Sequence, residues 1–166
     1  MVVCSVKFVG IKHELAMKNL LSAFLILTCT NLLAQTITLS PLETVQVKES
    51  NVFWKAQLDP ESKVTVINSS SIAVMNASFP MEKNVTKNIS FKLKNADGQG
   101  RTVNGTVTGL VEWNGEKYYT AKLQIGVNVL SKWEYREVDC VLADLSKSEY
   151  KLIIGKNWLK DDIEVK

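Results

Sequence analysis

Asn114-Gly115 stands between two strand-like runs, Gly109-Leu110-Val111-Glu112-Trp113 and Lys117-Tyr118-Tyr119-Thr120-Ala121-Lys122-Leu123, and this pairing constrains the fold more than any other feature. An Asn-Gly connection supplies the positive backbone angles of a type I′ turn, whose twist matches that of two antiparallel strands. The segment therefore reads as a β-hairpin. The signal continues along the chain. Thr44–Lys48 alternates, Val52–Leu58 is an apolar run ending at Asp59-Pro60, Lys63–Ile67 is β-branched, and Ile89, Phe91 and Leu93 share a face. Trp133–Ala143 and Tyr150–Gly155 give further strands, Lys156–Lys160 one or two helical turns, and Ile163–Val165 a last strand closing the sheet. Such patterning, with almost no helical periodicity, predicts an all-β fold, a barrel or a sandwich. Trp54, Trp113, Trp133 and Trp158 are expected to face mostly into the core.

The N-terminus reads differently. Met17-Lys18-Asn19 precedes the apolar run Leu20–Leu27, and small and polar residues lead on to Ala34-Gln35. A positive segment, a short apolar stretch and a small residue near its end form a secretory signal peptide. The expectation is a signal over 1–34, with Met17 the natural start and cleavage near Ala34 or Gln35. The run is too short for a membrane span, which needs ~20 residues. One mature domain over 35–166 is predicted, exported to a bacterial periplasm or the extracellular space, with no span of its own.

Export decides which chemistry is open. Cys4, Cys29 and the single histidine, His13, leave with the leader, so Cys140 remains alone. It alternates with Val138 and Leu142 on one strand face and reads as a small buried hydrophobe. Without histidine, a typical His/Cys zinc site and Ser-His-Asp or Cys-His catalysis are excluded, and no cofactor is expected. Carboxylates are the main acid–base groups left. The net charge of +3 falls to +1 beyond residue 34, and 18 of the 20 basic residues are lysine, so no nucleic-acid face is expected. Asn95-Ala96-Asp97-Gly98-Gln99-Gly100 begins like a calcium loop, but Thr106 stands where that loop needs a bidentate Glu, so it reads as a turn. Five Asn-x-Ser/Thr triplets, at Asn68, Asn76, Asn84, Asn88 and Asn104, read as the chance product of an Asn-, Ser- and Thr-rich surface.

Two segments together carry a resemblance. Trp54–Thr65, with Asp59-Pro60-Glu61-Ser62, resembles the strand and loop of Asp-Thr-Gly-Ala-x-Thr in retropepsin-like aspartic peptidases. Val141–Leu159, containing Leu142-Ala143-Asp144-Leu145 and Tyr150-Lys151-Leu152-Ile153-Ile154-Gly155-Lys156, is similar to the C-terminal signature of the retropepsin-like group labelled ATP-dependent zinc proteases. The resemblance covers residues 43–165. It implies a closed β-barrel half with one short C-terminal helix, and a site built from two such halves. Asp59 would be the catalytic residue, one from each chain of a homodimer. The two carboxylates would share a proton while one activates water. Asp97, Gly98 and Gly100 would belong to a substrate-covering flap, and Asp144, Ile153, Ile154 and Gly155 to the structural signature.

The departures shape the functional expectation. Pro60 stands in place of the Thr hydroxyl donor, Glu61 in place of Gly, and Leu145 and Lys156 in place of two Arg residues. No zinc ligand set or nucleotide motif accompanies them. The expectation is an exported retropepsin-like protein with weakened or lost catalysis that binds an extended polypeptide, either a substrate or an exported partner. The alternatives are an active homodimeric endopeptidase using Asp59, and an unrelated β-sandwich adhesion or assembly module.

Overall fold

The structure, a computed structural model, describes residues 37–129 and 131–166. The leader expectation, with Cys4, His13 and Cys29, lies outside them. The described chain runs β1 (Ile37–Leu39), β2 (Leu42–Val47), β3 (Val52–Leu58), β4 (Thr65–Val74), a 3-10 turn (Met81–Asn84), β5 (Asn88–Lys94), β6 (Gly100–Trp113), β7 (Glu116–Val129), β8 (Lys132–Ala143), β9 (Leu152–Ile154), α1 (Lys156–Leu159) and β10 (Ile163–Val165). It is all-β, 61% strand, with one short helix.

Alternation turns directly into burial. In β3, Trp54, Ala56 and Leu58 point inward while Phe53 and Lys55 are exposed; in β5, Ile89, Phe91 and Leu93 form the inner row. The hairpin forms as the Asn-Gly turn requires: Trp113 pairs with Glu116, with Asn114 at φ 51° and Gly115 at φ 80°. The pairings then lead around the sheet. β2 pairs antiparallel with β3, β3 parallel with β9, β9 antiparallel with β4, β4 parallel with β8, β8 antiparallel with β7, and β7 returns to β2 at Val45–Val47. β5 and β6 extend from β4 and rejoin at β7. β10 does not close this sheet as expected. It pairs parallel with β1 in a separate two-stranded ribbon, and β1 carries too few residues to show a period of its own.

The interior is continuous from Val45 and Trp54 through Ile67, Phe91, Leu123 and Leu142 to Ile154 and Trp158. Each large side chain withdrawn from water contributes on the order of 1.5–3 kcal/mol. Cys140 is fully buried among them, and burial pushes its thiol well above its ordinary range. Trp54 and Trp158 are core residues, Trp113 is half-buried, and Trp133 departs from expectation at 39% exposed. Its position explains this: Val138, Cys140 and Leu142 face the main core, so Trp133 and Tyr135 lie on the opposite face of β8, which is covered only further along, at Val141 and Ala143. Arg136 points inward on the same strand and fastens the C-terminal segment. Its guanidinium holds Asp162 through two bonds (2.6 and 3.1 Å), donates to the Trp158 and Leu159 carbonyls, and lies 4.9 Å from the centre of the Trp158 ring.

Two of the five Asn triplets are structural. Asn68 Nδ2 donates to the Lys94 carbonyl while its Oδ1 accepts from Leu145 N. Asn84, also buried, bridges Ser78 and the Tyr119 hydroxyl. Asn76, Asn88 and Asn104 are exposed. Among the described residues no helix is long and apolar enough to cross a membrane.

Candidate functional site

β3 delivers Asp59 to the point where the chain from β9 crosses it. Asp59 N donates to the Ile154 carbonyl at 2.9 Å, extending the parallel β3–β9 pairing by one residue. The chain then turns over Asp59-Pro60-Glu61-Ser62, with Ser62 N donating to the Asp59 carbonyl at 3.2 Å. Asp at the first and Pro at the second position suit such a turn, because Pro fixes φ and the Asp side chain bonds the backbone ahead of it. Asp59 Oδ1 does so, accepting from Glu61 N (2.9 Å) and Ser62 N (3.3 Å). The half-buried carboxylate is thus held by its own loop.

On the other side of this loop lies Gly155. A Cβ there would stand 2.4 Å from the Val64 carbonyl oxygen and 2.8 Å from that of Ser62, so only glycine permits the crossing. Lys156 N donates to the Ser62 carbonyl (2.8 Å), Gly155 N to Thr65 Oγ1 (3.2 Å), and Thr65 Oγ1 to Asn157 Oδ1 (2.7 Å). Asp59, Ile154 and Gly155 are therefore brought together, although 95 residues separate Asp59 from Ile154 in sequence.

The β6–β7 hairpin forms the opposite wall. Val111, Glu112 and Trp113 line one cleft with Asp59, Glu61, Ser62, Lys63 and Val64, about 480 Å³ in volume. Beneath it lies a small apolar cluster apart from the main core, in which Val66, Val141, Ala143 and Leu145 are buried and Val64, Val111, Trp113, Tyr118 and Ile153 pack around them. Leu145 is one of these buried residues, 4% exposed. Trp113 meets Tyr118 edge-on at 6.0 Å. The hairpin is tethered to the 3-10 turn by Lys117 and Glu82, 2.8 Å apart; this hydrogen-bonded pair holds the carboxyl below and the ammonium above their ordinary ranges. Tyr118 donates to Glu116, which raises the phenol. Around the cleft three carboxylates, of Asp59, Glu61 and Glu112, stand against one ammonium, of Lys63.

The other expected site residues lie elsewhere. Asp97, Gly98 and Gly100 are in the β5–β6 turn, closed by the Asn95 side chain, whose Oδ1 accepts from Gln99 N and whose Nδ2 donates to the Phe53 carbonyl. Phe53 is six residues up β3 from Asp59, roughly 20 Å at strand rise, so this turn does not cover the cleft. Asp144 is exposed and caps its own turn through Ser146; the hydrogen bonds to Ser146 hold its carboxyl below the ordinary range. Ile153 belongs to the apolar cluster under the hairpin, and Ile154 to the main core. Sequence reasoning identified the hairpin without connecting it to Asp59, because that connection depends on the pairing of β7 with β8 and of β8 with β4. Among the described residues no group of three or more His, Cys, Asp or Glu side chains is placed to hold a metal.

No family model and no curated protein matches the chain. Among solved structures it is similar to a protein of unknown function (DUF785) from Legionella pneumophila, with a TM-score of 0.63 at 18% identity over 78% of this chain and 92% of that one. At that identity the likeness concerns the fold alone.

Proposed function

We propose that the chain is an exported, retropepsin-like closed β-barrel half that binds an extended polypeptide between its Asp59 loop and the β6–β7 hairpin and has lost peptide hydrolysis. The returning order of strand pairings and the crossing of the Asp59 loop by Gly155 support the fold. The observation that carries the function is the closure of the Asp59-Pro60-Glu61-Ser62 turn on its own carboxylate. An aspartic dyad needs two carboxylates close enough to share a proton. Here the neighbouring carboxylate, Glu61, belongs to the same turn, and Pro60 supplies neither hydroxyl nor N–H. The cleft keeps a Trp wall, an apolar floor and backbone at its rim. These suit a peptide held by main-chain hydrogen bonds with side chains in shallow pockets.

A second reading, the active homodimer with one Asp59 from each chain, is favoured by the half-exposed position of Asp59 at the cleft. The partner would be an exported polypeptide in either case. A degenerate peptide library separates the two. Binding without hydrolysis predicts retained, intact peptides, retention unchanged in Asp59→Asn and lowered in Trp113→Ala. Cleavage that disappears in Asp59→Asn overturns the loss of catalysis. Retention indifferent to Trp113→Ala overturns the binding site.

A further inference from the structure

The outer face of β3, β2, β7 and β8 carries large apolar side chains that neither the core nor the cleft uses. Register places Phe53, Gln46, Gly126 and Tyr135 in one row across the four strands. The next row holds Lys55, Thr44, Asn128 and Trp133, which line one shallow depression with Leu42. The rings lean over the sheet: Phe53 and Trp133 are 5.7 Å apart between centres, Trp133 and Tyr135 6.3 Å. Tyr135 lies across Gly126, its ring carbons 2.5–2.9 Å from where a Cβ would stand, and its hydroxyl donates to Gln46 Oε1.

We infer that this face is the contact between two copies of the chain. Leu42, Phe53, Trp133 and Tyr135 are 53%, 54%, 39% and 41% exposed. With the three aromatic side chains at roughly 150–250 Å² each and Leu42 added, the four leave on the order of 400 Å² of surface uncovered, the size of the largest patch on a typical protein, which is often functional. That is about half of the ~800 Å² each partner gives to a standard dimer. Thr44, Gln46 and Asn128 lie between these side chains in the two rows, and Tyr150 lines the same depression.

The rows also complement themselves. A two-fold axis along the strands, between β2 and β7, lays β3 of one copy over β8 of the other, row on row. Phe53 then meets the partner's Tyr135, and Lys55 meets the partner's Trp133, an ammonium over an indole face. Each contact occurs twice. Lys55 enters no ion pair among the described residues, so its charge is available for this contact. On β3 the two rows stand four and six residues from Asp59, roughly 13 and 20 Å at strand rise, so this dimer keeps the two Asp59 carboxylates apart and differs from a peptidase dimer.

Sedimentation equilibrium of the purified chain at concentrations from about 1 to 100 μM tests this, a range wide enough to reveal dissociation constants in the micromolar region. The expected result is twice the monomer mass, with Trp133→Ala and Lys55→Glu each weakening association about tenfold or more, as central aromatic and paired contacts do. Asp59→Asn should leave association unchanged. Lys55 is exposed, so Lys55→Glu decides the matter even where Trp133→Ala impairs folding. A monomer mass throughout overturns the proposal, whatever other ligand the face takes. So does a dimer indifferent to Lys55→Glu, or one that Asp59→Asn dissociates.

Discussion

Gly155→Ala puts one methyl group where the fold has no room. The added carbon stands 2.4 Å from the Val64 carbonyl oxygen, 2.6 Å from its carbon and 2.8 Å from the Ser62 oxygen. Unstrained contact begins at about 3.5 Å, so the β9–α1 corner or the Asp59 loop must retreat by about 1 Å. All three atoms are backbone, so no rotamer change relieves the clash. The retreat stretches three bonds at once: Asp59 N to Ile154 O, Lys156 N to Ser62 O, and Gly155 N to Thr65 Oγ1. At about 1 kcal/mol net for each, plus ~1–3 kcal/mol for overpacking, the cost approaches 4–6 kcal/mol. Gly155 has extended backbone angles that alanine adopts, so a smaller unfolded-state entropy returns about 0.5 kcal/mol. A net loss of about 4 kcal/mol is a large share of a typical 5–15 kcal/mol stability. Urea unfolding followed by tryptophan fluorescence should show the midpoint lowered by about 2 M at a typical slope of ~2 kcal/mol/M. Gly105→Ala, where nothing lies within 4 Å of the added carbon, is the control and should be near neutral. A Gly155→Ala midpoint within ~0.3 M of the parent, at that slope, would refute the argument from space.

The Arg136 hydrogen bond holds the Asp162 carboxyl below its ordinary range, so the stability it contributes is present above the unfolded value of about 4 and is lost as pH falls through the folded value. Asp162→Asn should therefore destabilise at neutral pH by about 1 kcal/mol or less, since the Asp162 side chain is 45% exposed, with the difference closing in acid; a difference constant with pH refutes this. Cys140 should resist a thiol reagent in the native protein and react only on unfolding, and fast native labelling would show that the strand pair around it opens. If the chain is passed through a eukaryotic secretory pathway, sugars should be confined to Asn76, Asn88 and Asn104; glycopeptides at Asn68 or Asn84 would contradict the bonded amides found there.

Much of the fold is legible because alternation records which face of a strand is buried. The boundaries of β3 and the hairpin turn follow from Val52–Leu58 and Asn114-Gly115 directly. Trp133 follows strand parity: the inward set Val138, Cys140 and Leu142 assigns it to the other face of β8, where the hairpin covers only Val141 and Ala143, and parity outranks the general preference of tryptophan for the core. Pairing is less legible than facing. Nothing local in Ile163–Val165 distinguishes a sheet edge from a ribbon partner for Ile37–Leu39, since three residues carry little information about their neighbour. The cleft shares this limit. Asp59 and Gly155 stand out as residues, but the hairpin reaches them through β7, β8 and β4, a sequence of registers that no single segment encodes.

The departures at the Asp59 loop gain a joint meaning once the contacts are known. Pro60 lacks an N–H and presets the turn, leaving the N–H groups of Glu61 and Ser62 for the Asp59 carboxylate. Leu145 supplies apolar surface on which Val111 and Trp113 settle beside that loop. Each change would weaken a catalytic aspartate that must face a second carboxylate. Together they make a loop whose hydrogen bonds are satisfied within one chain and whose neighbouring wall is apolar. The proposed binding is well served by this arrangement, because a preorganised cleft loses little entropy on receiving a ligand. The same reasoning gives a sharp expectation for Pro60→Thr combined with Glu61→Gly. Freeing the loop from its Asp-Pro turn should lower thermal stability by about 1 kcal/mol or more through added unfolded-state freedom, without creating peptidase activity while Leu145 and Trp113 remain. Hydrolysis by that double variant would mean that the loop alone, and not the apolar setting around it, accounts for the proposed loss of catalysis.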